Sequence, residues 1–384
     1  MQPDALVFLK QRTGIRACLY PLLIAACVFL PSGFAAAVTS VSGNWTAASD
    51  GSWNESENWS RGRIASGPSA TADFSTIDIP GDTTVTLDKN ITVGTLIFGD
   101  KNTASAGGWT ISGNTLTLNT LSINGNPATT PTVTVNDLGT GKTATITSTL
   151  AGNQGLAKNG TGTLTLGGII SNTYTGNTTV NVGTLALDKA KGAAAIVGTS
   201  ITINSRGTLL LQASDQIANT TNLTLNGGST FSTGTGFNET LGAVTLTGDS
   251  IISLGNSIHL LGFGDSTLKG WSPTAKLTIY GWSGTAGLSG TSGEIFFGNN
   301  SSTLTGDQLA NINFIGFDPG AKLLSTGELV PNAVPETGTY VAGLLLVGLV
   351  AWRERKRFVL AAAGAVLSGG RLAESSLPDT YRDR

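Results

Sequence analysis

The chain has 384 residues and a formal net charge of −2, and only 12% of its residues are charged. That charged share is about half of the average for soluble proteins, whereas the 52 glycines exceed the average. The net charge of −2 argues against nucleic-acid binding, for which an excess of clustered basic residues is typical. The patterned Leu, Ile and Val residues, together with the low charge, exclude an intrinsically disordered chain.

Residues 1–37 are predicted to form a secretory signal peptide. Basic residues precede an apolar run over residues 17–30, and small residues follow that run. This order is typical of signal peptides. Cleavage is expected after Ala37, with Ala35 as the second small residue of the recognition pattern.

Two alternatives apply to the same segment. A transmembrane anchor is disfavoured because the apolar run is short for a bilayer span of roughly 20 residues. A lipoprotein signal ending at Cys27 is disfavoured because apolar residues 28–30 follow it. Since Cys18 also lies in the segment to be removed, the mature chain is expected to lack disulfides and thiolate metal sites.

Three tryptophans, Trp45, Trp53 and Trp59, lie in a short polar stretch after the signal peptide. Exposed indole rings could stack on sugar rings. The alternative is that they cover the first unit of the repeats that follow in the chain, because the end of a repeat array otherwise exposes its core. We favour the cap.

A short repeated motif dominates the middle of the chain. Gly-Thr-Leu-x-Leu occurs at residues 162–166 and 183–187, with Leu alternating with small or hydroxylated residues. This alternation is the pattern of a strand with one buried face. Related copies, several of them about 20 to 24 residues apart, occur at residues 93–98, 114–118, 206–211, 222–225 and 242–246.

These repeats predict an all-β fold, a parallel β-helix over residues 38–275. A single strand with one leucine-rich face cannot bury that face, but strands stacked in register share a continuous apolar core. Thr suits the outward face because its β-branched side chain favours extended backbone. Gly and Asn suit the corners between the faces.

Residues 156–187 resemble the autotransporter-associated β-strand repeat. The resemblance rests on Lys-Asn-Gly-Thr-Gly-Thr-Leu-Thr-Leu at 158–166, Asn-Thr-Tyr-Thr-Gly at 172–176 and Thr-Thr-Val-Asn-Val-Gly-Thr-Leu-Ala-Leu at 178–187. It implies a right-handed parallel β-helix that is exposed outside the cell.

Residues 276–330 are predicted to form the closing coils and a cap. Aromatic residues are expected to replace Leu on inward positions of these coils. Residues 304–310 are predicted to form one helical turn, opened by Thr305 and Asp307.

Residues 331–357 resemble a PEP-CTERM sorting signal, in which a short motif, an apolar run and a basic cluster follow one another. The apolar run covers residues 340–352. The motif and the basic cluster consist of Val334, Pro335, Glu336 and Thr337 and of Arg353, Arg355, Lys356 and Arg357. The resemblance implies a transmembrane helix, recognition by an exosortase-type enzyme, and cleavage near Pro335 and Glu336, with the basic cluster in the cytoplasm.

Two features depart from that pattern. Thr337 stands where the family usually has a second proline, and the chain continues through residues 358–384, a tail without an assigned role. The alternative is a plain C-terminal membrane anchor that no enzyme sorts.

Catalytic chemistry is sparse in the sequence. His259 is the only histidine, so a metal cluster or a catalytic triad is not expected, and no cofactor is predicted. A position on a coil face is expected for it. The acidic residues of the later coils are scattered singly, at Asp249, Asp265, Glu294, Asp307 and Asp318.

The predicted function is that of a non-catalytic, exported surface or extracellular-matrix protein. Its expected partners are signal peptidase, an exosortase-type enzyme and the membrane, with exopolysaccharide as a further candidate and no nucleic acid. The alternative is a carbohydrate-active β-helix enzyme, a polysaccharide lyase or hydrolase, which would need clustered acidic and basic residues.

Overall fold

The computed structural model describes residues 39–105, 107–122 and 128–333, and the regular structure in these ranges is almost entirely β. The strands in chain order are β1 (Gly43–Asn44), β2 (Gly51–Ser52), β3 (Thr71–Phe74), β4 (Thr83–Leu87), β5 (Ile91–Val93), β6 (Thr95–Phe98), β7 (Trp109–Gly113), β8 (Leu116–Leu118), β9 (Thr132–Val135), β10 (Thr143–Ile146), β11 (Leu150–Ala151), β12 (Leu156–Asn159), β13 (Thr163–Gly168), β14 (Thr178–Val180), β15 (Gly183–Lys189), β16 (Ser200–Ile203), β17 (Gly207–Leu211), β18 (Asn222–Leu225), β19 (Thr230–Ser232), β20 (Glu239–Thr240), β21 (Val244–Leu246), β22 (Ser250–Ser253), β23 (His259–Phe263), β24 (Leu277–Tyr280), β25 (Gly293–Phe297), β26 (Ile312–Phe314), β27 (Ala321–Leu323) and β28 (Glu328–Pro331).

Successive strands stack into long sheets, as the repeats predict. The order is β1-β3-β6-β9-β12-β14-β16-β18-β21 in a nine-stranded sheet and β2-β4-β7-β10-β13-β15-β17-β19-β22-β24-β26 in an eleven-stranded sheet. The third face carries the sheets β11-β8-β5 and β20-β23-β25-β28-β27. Neighbouring strands are parallel, except that β28 is antiparallel to β25 and β27. The predicted parallel β-solenoid is therefore confirmed for the described residues.

The two best copies of the motif stack directly on each other. Leu164 and Leu166 of β13 pair with Leu185 and Leu187 of β15, and all four side chains are buried. The alternation of Leu with smaller residues thus separates the core face from the outward face.

The number of residues between stacked positions varies more than the motif suggests. It is 20 between Thr143 and Thr163 but 37 between Thr95 and Thr132. The copies at residues 93–98 and 114–118 are about one coil apart in sequence, but only Val93 of the first copy stacks on the second, where it pairs with Leu118. Phe98 pairs with Val135 in the nine-stranded sheet, whereas residues 114–118 contribute β8 to the third face.

Glycine is required where the corners of successive coils approach each other. Gly155 has a φ of +86°, and a Cβ atom there would lie 2.0 Å from the carbonyl oxygen of Asn177. Both the left-handed backbone and the close approach exclude larger residues.

Three buried tryptophans close the N-terminal end of the solenoid. The ring centroids of Trp45 and Trp53 lie 5.2 and 5.1 Å from that of Trp59, and Trp59 lies 5.7 Å from Phe74 of the first coils. The Trp53 indole donates to the carbonyl of Ala65 at 2.9 Å, and the Trp59 indole donates to that of Trp53 at 2.7 Å. All three side chains are buried, so they form a cap and are not presented to a sugar.

The C-terminal end is closed by a short helix, α1 (Gly306–Ala310), and by the antiparallel strands β27 and β28. The predicted helical turn is confirmed. The Thr305 hydroxyl accepts a hydrogen bond from the backbone N–H of Gln308, and the Gln308 side chain accepts one from the N–H of Thr305, which forms a capping box.

The predicted inward placement of aromatic residues in these coils is only partly right. Phe297, Phe314 and Trp282 are buried. Tyr280 and Phe296 face outward, because Ile279 and Ile295 take the inward positions next to them and consecutive strand residues point to opposite faces.

Candidate binding surface and its supporting ladders

The residues predicted to direct export and sorting lie outside the described part of the chain. These are Ala35 and Ala37 of the cleavage site and residues 334–337 and 353–357 of the sorting signal. The signal peptide and the sorting signal therefore stay predictions. In the ranges that are described, no helix combines the length and the apolar character needed to cross a bilayer.

His259 is a structural residue at the start of β23. Its ring is buried, Nδ1 donates to the carbonyl of Ser257 at 2.8 Å, and Nε2 accepts from the hydroxyl of Thr233 at 2.9 Å. The Thr233 oxygen in turn accepts from the N–H of Gly255. Within the described ranges, no group of three or more His, Cys, Asp or Glu side chains is placed to hold a metal ion.

Two carboxylates of the closing sheet, Glu294 and Glu328, lie close enough for their charges to interact. Desolvation, followed by the nearby charge of Glu328, raises the pKa of Glu294. Glu328 is buried and accepts hydrogen bonds from the Ser289 hydroxyl at 2.6 Å and from the Gly290 N–H at 2.7 Å. Its carboxylate therefore fastens a loop. The pairing of antiparallel strands creates this proximity, so no sequence spacing revealed it.

The most regular feature of the molecular surface is a row of threonines along the nine-stranded sheet. Each occupies the same outward position of its strand, so neighbours are about 4.8 Å apart along the solenoid. With Ala157 as the only interruption, the row consists of Thr71, Thr95, Thr132, Thr179, Thr202, Thr224 and Thr245.

The eleven-stranded sheet carries two further rows of this kind. One contains Thr84, Thr110, Thr145 and Thr165, and the other contains Thr143, Thr163, Thr184, Thr208 and Thr230. Apart from Thr165, which is buried, each threonine presents a hydroxyl group, which can donate and accept a hydrogen bond, and a methyl group. The rows themselves carry no charge.

A ladder of asparagines runs along one corner of the solenoid and fixes the register of these rows. The side-chain N–H₂ of each member donates to the side-chain oxygen (Oδ1) of the previous one: Asn181 to Asn159 at 2.7 Å, Asn204 to Asn181 at 2.6 Å and Asn226 to Asn204 at 2.5 Å. Thr247 continues the ladder with a hydroxyl bond to Asn226 at 2.5 Å.

Replacing Asn204 by Ala is expected to lower the free energy of unfolding by about 1–3 kcal/mol, because the side chains of Asn181 and Asn226 each lose a partner. Urea denaturation would measure this change. Asn153→Ala is the matched control, since Asn153 is exposed and outside the ladder, and should change stability by less than about 0.5 kcal/mol. Equal effects of the two substitutions would contradict the role of the ladder.

Lys158 occupies an inward position of the nine-stranded sheet, between Val133 and Val180. It is fully buried, and its ammonium group donates to the carbonyls of Asn159, Gly160 and Val182 at 2.8 to 3.0 Å. Burial lowers the pKa of Lys158 to about 8. In the sequence, Lys158 stands out only as part of the repeat motif.

Side chains replace strand pairing on parts of the third face. The Gln216 side chain accepts from the N–H of Lys189 at 2.7 Å. Glu239 accepts from the N–H groups of Gln216 and Ile217 at 2.7 and 3.2 Å, and from that of Thr240 at 3.0 Å. Burial raises the pKa of Glu239 to about 8 despite these hydrogen bonds. Together, these contacts join three successive coils.

Comparison with known proteins identifies one family. Residues 156–187, which span β12 to β15, match the family model described as passenger-associated-transport-repeat. No curated protein and no solved structure matches the chain significantly. The expected resemblance to an autotransporter-associated repeat is therefore confirmed for these residues, which include Lys158 and the first two members of the asparagine ladder.

Proposed function

We propose that this protein is a non-catalytic, exported surface protein whose right-handed β-solenoid acts as a stalk, adhesin or exopolysaccharide-associated scaffold. The observation that carries this proposal is the uninterrupted stack of coils with uncharged threonine rows on its outside. The match of residues 156–187 to passenger-associated repeats supports export to the cell surface.

The proposal includes a route to the cell envelope or extracellular matrix. The signal peptide directs export and is removed by signal peptidase. The apolar run 340–352 holds the chain in the membrane, and an exosortase-type enzyme recognises residues 334–337. Support for this route comes from the sequence order of motif, apolar run and basic cluster.

Intact-mass analysis of the protein from membrane and released fractions of native cells tests this route. We expect a released species that begins near Val38 and ends near Val334 or Glu336. A Pro335→Ala and Glu336→Ala double variant should keep the C-terminal segment and stay in the membrane fraction. A native protein that retains the chain through Arg384 in every fraction would contradict sorting by cleavage.

The absence of catalysis is tested with the full chain and a panel of neutral and acidic polysaccharides. We expect no new reducing ends or unsaturated products. Glu294 and Glu328 are the first candidates to test, because they are one of the carboxylate pairs whose charges interact, as Asp215 and Glu239 also do. A cleaving activity that Glu294→Gln or Glu328→Gln abolishes would establish the enzyme alternative.

A further inference from the structure

Exposed apolar side chains are concentrated towards the C-terminal end of the solenoid. Of the nine large hydrophobic residues that are exposed in the described ranges, six lie between residues 258 and 315. The other three are Leu121, Ile169 and Ile170. Scattered exposed hydrophobic residues are normal, but a group at one end indicates a contact surface.

Three of these side chains lie on segments that contact the last elements of the fold. Ile315 directly follows β26, the last strand of the eleven-stranded sheet, and is 53% exposed. Leu288 is 62% exposed, and the adjacent Gly287 donates to the carbonyl of Pro331 in β28 at 2.9 Å.

Leu268 is almost fully exposed, at 97%. Its loop is held by Gln308 of α1, whose side chain donates to the carbonyls of Ser266 and Lys269 at 2.9 and 3.3 Å. We call the three side chains of Leu268, Leu288 and Ile315 the terminal apolar group.

The path of the chain places this group close to the predicted anchor. The described chain leaves the solenoid at Ala333, where a Cβ atom on Gly287 would lie 3.1 Å from the Ala333 side chain. Only residues 334–339 separate this exit from the apolar run 340–352. Six residues span at most about 20 Å, so a run embedded in a bilayer holds the terminal coils near its surface.

The residues exposed at this end of the solenoid favour apolar insertion into a bilayer interface over electrostatic attraction to anionic headgroups. Tyr280 is exposed at the end of β24, the strand that pairs with β26, and tyrosine is enriched at membrane interfaces. Exposed Asp307 and Asp318 share this end with Lys322, so its charge is mixed. Apolar insertion, rather than charge, is the attraction this surface offers.

We propose that the terminal apolar group rests in the interface of the membrane that holds the C-terminal anchor, and that it sets the solenoid against that membrane until the anchor is cleaved. This inference rests on the proposed membrane anchor. It adds a second, peripheral contact made by the folded solenoid itself.

Fluorescence quenching in proteoliposomes tests the contact. The full chain carries Cys18→Ser and Cys27→Ser, so that one introduced cysteine can be labelled with an environment-sensitive dye. The label is placed at Leu288→Cys, at Val347→Cys in the apolar run, or at Ile169→Cys, which is the matched control because Ile169 is 81% exposed far from the end. The vesicles contain phosphatidylethanolamine, phosphatidylglycerol and lipids with shallow or deep spin labels.

We expect shallow quenchers to act several-fold more strongly on position 288 than on position 169, and deep quenchers to act on position 347. Quenching at 347 with equal values at 288 and 169 would leave the anchor standing and overturn the inference. No quenching at 347 or 288 would overturn the anchor and the inference together. A label at 288 that is shielded from water without lipid quenching would show that the chain's own tail or a second copy covers the group, which also overturns the inference.

Discussion

Replacing Trp59 by Ala is expected to lower the free energy of unfolding by about 3–5 kcal/mol. Trp59 is the centre of the N-terminal cap, since its ring contacts Trp45, Trp53 and Phe74. The substitution removes a buried indole, the hydrogen bond from that indole to the carbonyl of Trp53, and the cover of the first coil. Neighbouring rings cannot fill a cavity of that size without leaving their own contacts.

The part of the solenoid that loses stability in the Trp59→Ala variant distinguishes a capping residue from an ordinary core residue. Each coil of a solenoid is stabilised by its neighbours, so an opened end should fray first. Amide hydrogen exchange should therefore accelerate most in β1 to β4 and least in β21 to β26. Ile169→Ala, at an exposed position, should change stability by less than about 0.5 kcal/mol. Uniform acceleration along the chain would show that Trp59 does not act as an end cap.

Much of the fold follows from local patterns in the sequence. The motif copies at 162–166, 183–187 and 206–211 predict β13, β15 and β17, which stack in that order. Their alternation also identifies Leu164, Leu185 and Leu209 as core residues, because period 2 divides a strand into two faces. The helical turn is equally local: Thr305 and Asp307 predicted its start, and Gln308, which completes the capping box, lies three residues after Thr305.

Contacts between distant residues were not predictable in the same way. Strands of one coil resemble strands of another, so spacing alone could not assign residues 114–118 to the third face. A buried lysine looks like a surface lysine in sequence, and Lys158 became recognisable only from the carbonyls around it. The threonine rows of the candidate surface were predictable only in part. Alternating Thr residues were expected to face outward, but their alignment into rows depends on loop lengths.

A Glu239→Gln substitution is expected to remove a pH dependence of stability between about pH 4.5 and 8. The ordinary pKa of this carboxyl group is 4.5, and burial raises it to about 8 in the folded chain. The folded state therefore binds a proton that the unfolded state releases in this window. The stabilisation is fully present below pH 4.5 and is lost as pH rises towards 8. The loss is on the order of 5 kcal/mol, since each pKa unit corresponds to about 1.4 kcal/mol.

Urea denaturation at several pH values, compared between the native chain and the variant, would measure this difference. Glu57→Gln, at an exposed position of the N-terminal cap, is the matched control and should leave the slope unchanged.

Burial of Lys158 is expected to give a pH dependence of stability with the opposite sign. Its pKa falls from 10.5 to about 8 on burial, so its contribution is present above pH 10.5 and is lost as pH falls to 8. Lys158→Met should therefore reduce the slope only in this alkaline window, where Lys189, whose pKa burial also lowers to about 8, keeps its own contribution. If Glu239→Gln leaves the slope below pH 8 unchanged, Glu239 is ionised in the folded chain, and the hydrogen bonds from Gln216, Ile217 and Thr240 outweigh its burial.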